Sequence, residues 1–223
     1  MSTGTNEPCP PSYHACNTPA DRGDNPVVIQ LQTARLVLRE YTEEDWPSVL
    51  AYQSDARYLR YYPWSEREAT AVREWITRMI AHQSDEPRDV FQLAITIREE
   101  DGRLIGSCGV RVNDRARREG NIGYELNPEY WRRGYATEAA WAMLSYGFDH
   151  LALHRIWAEL NAENSASAYV LQKVGMQCEG HFREQDYFKG RWWDGQRYAI
   201  LDREWQAQPK PSWLPRLALS ETL

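Results

Sequence analysis

The sequence predicts an α+β fold, a mixed and mainly antiparallel sheet of six to seven strands flanked by helices. Two observations support this prediction. Three strand-like segments follow one another over residues 91–97, 104–112 and 121–126, and strong helical spacing comes directly after the third. One strand–helix–strand crossover later in the chain supplies a single parallel pair, which should be right-handed. A meander followed by one crossover favours an α+β sheet over a doubly wound one.

The chain divides into three parts by composition. Residues 1–26 mix Pro, Ser, Thr, Asn, Gly and Asp without periodicity, so we expect a disordered extension, and a partner-binding arm has the same signature. Residues 27–205 carry the strand and helix patterns and are expected to fold as one domain. Residues 206–223 again lack a period and are expected to form a tail.

The early elements are two short strands and two helices. Strands are expected at residues 27–31 and 36–39. Thr42 and Asp45 have the spacing of a capping box, although Pro47 favours a later helix start. Ser65 and Glu68 have the same spacing before a second amphipathic segment. The loop between these helices is rich in aromatic residues, which we expect mostly to fill the core. They are Tyr58, Tyr61, Tyr62 and Trp64.

The chemistry is expected where the third strand of the meander meets the next helix. Apolar residues alternate from Ile122 to Leu126, Pro128 ends the strand, and helical spacing begins at Ala136. A helix start leaves several N–H groups unpaired and carries a partial positive charge, so it attracts anions. Gly134 and Ala136 leave room for the ligand to approach. The predicted ligand is a phosphate chain, and the alternative is that Gly134 only makes a turn.

Neighbouring side chains strengthen this anion site. Arg132 and Arg133 add positive charge, and Thr137 can add a hydroxyl. The run W-R-R-G-Y-A-T-E-A, between a strand and a helix, resembles motif A of the GNAT superfamily of acyl-CoA-dependent N-acyltransferases, R/Q-x-x-G-x-G/A. Trp131 stands where that motif has Arg or Gln, as in the branch similar to ribosomal-protein N-terminal (alanine) acetyltransferases.

A second motif lies further along the chain. N-x-x-N-x-x-S from Asn161, followed by V-L-Q-K-V-G-M, resembles motif B of the same branch. The helix here is expected to carry Ala166, Tyr169, Val170 and Val174 on its apolar face and to end at Gly175. Strands are expected at residues 155–160, 177–183 and 196–201, with a polar and aromatic loop over 184–195. The resemblance covers about residues 33–205.

The resemblance implies where acetyl-CoA, the expected co-substrate, binds. The two parallel strands should splay apart beside motif A, backbone groups near Glu125 and Leu126 should bond the pantetheine arm, and the motif A loop should hold the pyrophosphate. The residues assigned to coenzyme binding are Leu126, Trp131, Arg132, Arg133, Gly134, Tyr135, Ala136, Thr137, Asn161, Asn164 and Ser167.

The resemblance also suggests catalytic residues. Leu171 stands where many members have a tyrosine, so Ser167 is the expected proton donor to the departing thiolate. The alternative is that Ser167 is simply a hydroxyl in the first turn of a helix whose N-cap is Asn164. Asp186 lies close to where the branch has a carboxylate base, with Glu184 two residues away. Glu125 is a third candidate base, and its alternative is a strand carboxylate that faces water.

Composition limits the partners. A net charge of −6 over 223 residues argues against nucleic acid and weakly suits a cationic substrate. No apolar run reaches the roughly 20 residues of a membrane span, and no signal pattern opens the chain, so we expect a cytoplasmic protein. The histidines and the four cysteines have no metal-ligand spacing, so no metal is expected; Cys108 and Cys178 lie on strands and are expected to be buried, whereas Cys9 and Cys16 lie in the extension.

The leading hypothesis is an N-acetyltransferase that moves an acetyl group directly from acetyl-CoA to a primary amine. The acceptor is a protein N-terminus or a small amine. Deprotonating an α-amine at pH 7 costs about 1.4 kcal/mol, against about 4.6 kcal/mol for a lysine. The alternatives are a transferase for a longer acyl-CoA such as succinyl-CoA and a non-catalytic acyl-CoA sensor. Whether the protein is a homodimer stays open.

Overall fold

One eight-stranded sheet organises the molecule. The computed structural model describes residues 28–100 and 102–214, so the extension predicted for residues 1–26, with Cys9 and Cys16, lies outside the described residues. The order of the strands is β1-β2-β3-β4-β5-β6-β8-β7. The prediction of six to seven strands is therefore wrong by at least one. The strands are β1 Gln30–Gln32, β2 Leu36–Arg39, β3 Val90–Ile97, β4 Leu104–Asp114, β5 Glu119–Leu126, β6 Arg155–Asn161, β7 Gln177–Phe188 and β8 Arg191–Leu201.

The parallel pair of strands opens along its length. All neighbouring strands are antiparallel except β5 and β6, as predicted. The pairing of β5 with β6 covers only three positions and stops at Asn121 and Trp157. Beyond that point β5 continues to Leu126 and β6 to Asn161 without bonding each other. The sheet therefore contains a gap in its middle, as the resemblance implied.

Helices cover both faces of the sheet. They are α1 Trp46–Gln53, α2 Ala56–Leu59, α3 Ala69–Ala81, α4 Tyr135–Ser145, α5 Ser165–Lys173 and α6 Asp202–Ala207, and α4 continues as a π-helical turn over Tyr146–His150. One apolar core lies between the sheet and α4, α5 and α6, and a second, smaller core lies beneath α1, α2 and α3. The gap between β5 and β6 thus connects the face of the sheet covered by α4, α5 and α6 to the face covered by α1, α2 and α3.

The helix starts agree only partly with the predictions. Pro47 stands in the first turn of α1, after a short 3-10 turn over Glu43–Asp45, so the later start favoured by this proline is confirmed. The capping box at Ser65 and Glu68 is wrong. Glu68 has an extended backbone and is itself the residue before α3, so Ser65 lies outside the helix.

The polar loop predicted over residues 184–195 is also wrong. β7 and β8 form one long hairpin whose tight turn is Lys189 and Gly190, both with positive φ. Polar residues are compatible with a strand here because β7 is an edge strand of the sheet and is exposed along nearly all of its length. Cys178 lies on this strand and is exposed, which contradicts its predicted burial, whereas Cys108 is buried as expected.

Two further features of the C-terminal half differ from the sequence pattern. Ala166 and Tyr169 are exposed, which contradicts their predicted place on the apolar face of α5, whereas Val170 and Val174 pack against the core as predicted. The sequence analysis did not include Leu171 on this face, and it is buried. Beyond residue 205, α6 extends to Ala207, and Trp213 and Leu214 pack against the larger core. Among the described residues, every helix is too short or too polar to cross a bilayer.

Candidate active site

The anion site predicted from the sequence has the required backbone geometry. Gly134 precedes α4 with a φ of 79°, and Arg132 has a φ of 63°. Both values are left-handed, which turns the chain so that successive N–H groups point into the same space. Within the described residues, the N–H groups of residues 132–137 donate to no protein acceptor. They are therefore available to a diphosphate, and the residues fit the coenzyme.

The side chains of the loop divide between outward charge and internal support. Arg132 and Arg133 are exposed, so their charges face the solvent in front of the site. Trp131 instead donates from its indole Nε1 to the backbone oxygen of Leu126, at 2.8 Å. This bond ties the loop to the end of β5, which explains how Trp131 replaces the Arg or Gln of the motif without disrupting the turn.

A residue that the sequence analysis missed holds the loop from behind. Arg35 lies just before β2 and donates from Nη1 to the backbone oxygen of Arg133 at 2.9 Å. Its guanidinium also pairs with Glu138 in the first turn of α4, and it stacks over the ring of Tyr135 at 4.5 Å. The sequence feature that could have identified Arg35 is the segment T-A-R-L, which is similar to the opening strand of the same branch. The sequence analysis assigned no role to this arginine.

A cavity of about 340 Å³ leads through the gap between β5 and β6. Successive residues of β5 face opposite sides of the sheet, so the cavity is lined by Tyr124 on the side of α5 and by Glu125 on the side of α1. Ser167 and Leu171 line the first side, and Gln53 and Tyr58 line the second. The two sides of a reaction can thus meet inside the gap.

A tyrosine and a serine form a pair on the α5 side. The hydroxyl of Tyr124 donates to the backbone oxygen of Ser167 at 2.8 Å and lies 2.9 Å from the Ser167 hydroxyl. Burial raises the pKa of Tyr124 well above its usual value, so the phenol keeps its proton at neutral pH. Asn164 caps α5 by accepting from the Ser167 N–H at 3.1 Å, and Asn161 accepts from the Glu163 N–H at 3.0 Å.

Tyr124 is the second residue of the candidate site that the sequence analysis missed. The cap at Asn164 uses the backbone N–H of Ser167 and leaves the Ser167 hydroxyl to meet Tyr124. A signal was present in the sequence, since Tyr124 alternates with Glu125 and must face the other side of the same strand.

Glu125 is held by three neutral donors on the α1 side. The hydroxyl of Tyr52 donates to Oε1 at 2.6 Å, the amide of Gln53 donates to the same oxygen at 3.1 Å, and the hydroxyl of Tyr58 donates to Oε2. Burial and the nearby carboxylate charge raise the pKa of Tyr52 and Tyr58. The alternative that Glu125 is a strand carboxylate facing water is therefore wrong.

Aromatic rings extend from this carboxylate towards the surface. Tyr62 stacks on Tyr58 with ring centroids 4.7 Å apart, and on Trp64 with centroids 4.8 Å apart. All three rings line the cavity, and Trp64 is 37% exposed. These residues, expected to be core filler, also form a wall that an acceptor would contact.

The other two candidate bases lie elsewhere. Asp186 and Glu184 are exposed on β7, and neither lines the cavity that contains Glu125 and Ser167. The Glu184 N–H donates to Asp194 within the hairpin, at 2.8 Å. Among the described residues, no three His, Cys, Asp or Glu side chains are grouped as metal ligands would be.

Comparison with known proteins identifies the family. Residues 35–177 match the model of the Acetyltransferase (GNAT) domain. The chain is 36% identical over 177 residues to the uncharacterized N-acetyltransferase YnaD of Bacillus subtilis, with 79% of this chain and 99% of that protein covered.

Solved structures agree with this assignment. A GNAT-family acetyltransferase from Bacillus anthracis superposes with a TM-score of 0.69 at 30% identity, covering 78% of this chain and 99% of that one. Spermidine N-acetyltransferase from Vibrio cholerae, solved with CoA and spermine, superposes with a TM-score of 0.66 at 20% identity, covering 77% and 98%. At that identity the second match supports the fold alone. The chain belongs to the GNAT family of acetyltransferases, which use acetyl-CoA.

Proposed function

We propose that the protein transfers the acetyl group of acetyl-CoA directly to a primary amine in the gap between β5 and β6. The observation that carries this proposal is the single cavity that joins Glu125 on one side of the sheet to the Tyr124–Ser167 pair on the other. A direct transfer needs a base beside the amine and an acid beside the sulfur. The two sides of this strand provide one of each.

The amide groups of residues 132–137 would bind the diphosphate of the coenzyme. Their N–H groups stand at the start of an eleven-residue helix, α4, so the partial positive charge of the helix adds to the attraction. The pantetheine arm would then enter the gap where the pairing of β5 with β6 ends. This brings the thioester between Tyr124 and Glu125 without any covalent enzyme intermediate.

Glu125 would act on the acceptor side. The amine must reach the thioester carbon as the neutral base, so a carboxylate has to accept one of its protons, directly or through one water. Tyr52, Gln53 and Tyr58 hold both carboxylate oxygens in place, which keeps the group oriented for this step. Glu125 passes that first proton to solvent. As the C–N bond forms and the C–S bond breaks, the proton that the new amide nitrogen loses passes to Glu125 and from there to solvent.

Tyr124 and Ser167 would act on the donor side. The departing sulfur needs a proton, and the Ser167 hydroxyl can deliver one while the Tyr124 O–H turns from the Ser167 backbone oxygen to the Ser167 hydroxyl and replaces it. A proton from solvent then restores the Tyr124 phenol. The raised pKa of Tyr124 keeps that proton available across neutral pH. The products are the N-acetylated amine and the free thiol of CoA, so protons and electrons balance.

The amine would enter from the side of α1, α2 and α3. Its pocket is lined by aromatic rings and ends at Glu125, which suits a compact acceptor with a small apolar part. Asp186 has no part in this proposal because it lies outside the cavity, on the exposed strand β7.

The test is release of CoA thiol by the purified full-length protein. Acetyl-CoA is supplied with α-amines, polyamines and peptide N-termini, and mass spectrometry identifies the acetylated product. We expect amine-dependent thiol release and no acetylated protein intermediate. Tight binding of acetyl-CoA without turnover on any amine would instead indicate a sensor.

A further inference from the structure

The acceptor side of the cavity contains an arginine that no carboxylate contacts directly among the described residues. Arg111 is half-buried and lines the cavity, and its Nη2 donates to the amide oxygen of Gln92 at 2.8 Å. Among the described residues, no carboxylate lies within 4.0 Å of its guanidinium. Burial of such a charge is costly unless a counter-charge or a set of hydrogen bonds compensates it.

The sheet register places this arginine on the same side as the proposed base. Arg111 lies directly opposite Asn121, and Asn121, Gly123 and Glu125 alternate along one face of β5. Its Nη1 lies 3.6 Å from the position that a Cβ atom on Gly123 would occupy, which is an ordinary contact distance. The guanidinium therefore lies over Gly123, on the face of β5 that carries Glu125.

No other charged group of this side is in direct contact with Arg111; the charge of Glu125 acts on it from beyond ion-pair distance. Glu159 is already paired with Arg197, and Glu125 is bonded to Tyr52, Gln53 and Tyr58. Arg67, a second guanidinium at the cavity, donates to Gln53 at 2.8 Å, so it has a neutral partner too. The acceptor side thus has one carboxylate that can meet an amine and at least one cation that can meet an anion.

We propose that Arg111 binds a carboxylate on the acceptor, so that the substrate is a compact molecule carrying both an amine and a carboxylate, such as an amino acid. This inference rests on the proposed function, because it assumes that the amine approaches Glu125. Gly123 and Glu125 are two residues apart on one strand face, about 7 Å. A molecule whose amine and carboxylate are only a few bonds apart can reach both groups.

A carboxylate is preferred over a larger anion for two reasons. Gln92 already occupies one nitrogen of the guanidinium, which leaves a single free edge for a monoanion. A cavity of about 340 Å³ that must also take the end of the coenzyme leaves little room for a phosphorylated acceptor. A polyamine fits less well, because its several cations would meet Arg111 and Arg67.

The experiment compares matched acceptors that differ only in their carboxylate. Alanine, leucine and phenylalanine are each supplied as the free acid and as the amide with acetyl-CoA, and spermidine is supplied as a cationic amine. Thiol release gives kcat and KM for each. The amides have the more easily deprotonated amines, so this chemistry favours them and works against the inference.

We expect kcat/KM for at least one free acid to exceed that of its amide about ten- to hundredfold, as for one charge-assisted hydrogen bond. Arg111→Gln should remove this difference mainly through a higher KM for the acid. Arg117→Gln changes an exposed arginine in the turn after β4 and serves as the control, with kinetics like those of the unmodified protein.

Three other outcomes would overturn the inference. Amides or spermidine preferred over every free acid would exclude a carboxylate requirement, and an equal loss on acids and amides in Arg111→Gln would give Arg111 a purely structural role. Succinyl-CoA used in preference to acetyl-CoA, with that preference lost in Arg111→Gln, would place the carboxylate on the acyl donor. Turnover on no amine at all would instead reject the proposed function, and the inference with it.

Discussion

Arg35 and Glu138 form an ion pair, 2.6 Å between Nη2 and Oε2, that connects the start of β2 to the first turn of α4. The carboxylate is buried and also accepts from the Thr33 hydroxyl at 2.6 Å and from the Arg35 N–H at 2.9 Å. Arg35 also donates to the backbone oxygen of Arg133. The ion pair therefore connects the sheet, through the residue before β2, to the loop proposed to bind the diphosphate.

Arg35→Met should weaken both the fold and coenzyme binding. It would leave the buried Glu138 without its charged partner, at a cost of about 2 kcal/mol; this is below the 3–5 kcal/mol of a fully buried pair because the Arg35 side chain is 47% exposed. Thermal unfolding should shift down by roughly 4–8 °C. Arg115→Met removes an exposed pair and should cost less than about 1 kcal/mol. Equal stability of the two variants would contradict the bracing role.

Gly134→Glu should abolish coenzyme binding while the protein stays folded. The new carboxylate would stand among the N–H groups that are proposed to bind the diphosphate. Gly134→Ala separates charge from strain, since any side chain at a φ of 79° costs about 1–2 kcal/mol. Gly190→Glu is the matched control, with a φ of 74° and no atom near its Cβ position. Calorimetry with CoA is the measurement, and unchanged affinity in Gly134→Glu would reject the anion site.

Ser167→Ala and Tyr124→Phe should lower turnover much more than they weaken CoA binding. The expected loss in kcat is about 10²–10⁴-fold for the residue that supplies the proton directly. The two substitutions act on one hydrogen-bonded pair, so the double variant should lose little more than the worse single one. Steady-state kinetics and CoA titration provide the comparison. Equal losses in kcat and CoA affinity would recast both residues as binding groups.

Loss of the Tyr124 proton should not lower kcat/KM at any pH up to about 10. Burial raises the pKa of this phenol above its usual value of 10, so the protonated donor persists throughout that range. The neutral fraction of the amine rises over the same range, so kcat/KM should increase and then level. The check is a pH profile from pH 6 to 10. An alkaline decline near pH 9 that disappears in Tyr124→Phe would contradict this expectation.

Glu125→Gln should lower kcat/KM about 10²–10³-fold and leave CoA binding intact. The amide has nearly the same shape, so the aromatic wall should stay in place and the loss would report the missing base. Glu129→Gln, an exposed carboxylate four residues later, is the control and should behave like the unmodified protein. Full activity in Glu125→Gln would move the base elsewhere, and Asp186→Asn would then be the next variant to measure.

The sequence by itself determined the meander, the crossover and the position of the loop proposed to bind the coenzyme. Small residues at Gly134 and Ala136 followed by helical spacing define an exposed helix start, and this depends only on neighbours in the chain. The meander and the single crossover are likewise local patterns, so the sequence alone predicts the fold class.

Only the tertiary structure decided which side chains meet in the gap. Glu125 is bonded by Tyr52 and Tyr58, which lie 73 and 67 residues away, and Tyr124 meets Ser167 at a separation of 43 residues. The same holds for Arg35, which reaches Arg133 across 98 residues. Periodicity and spacing report on neighbours within a few turns, whereas these contacts depend on how helices pack across the two faces of the sheet. That packing is why Asp186, reasonable in the sequence, lies outside the cavity, and why Tyr124 and Arg111 lie within it.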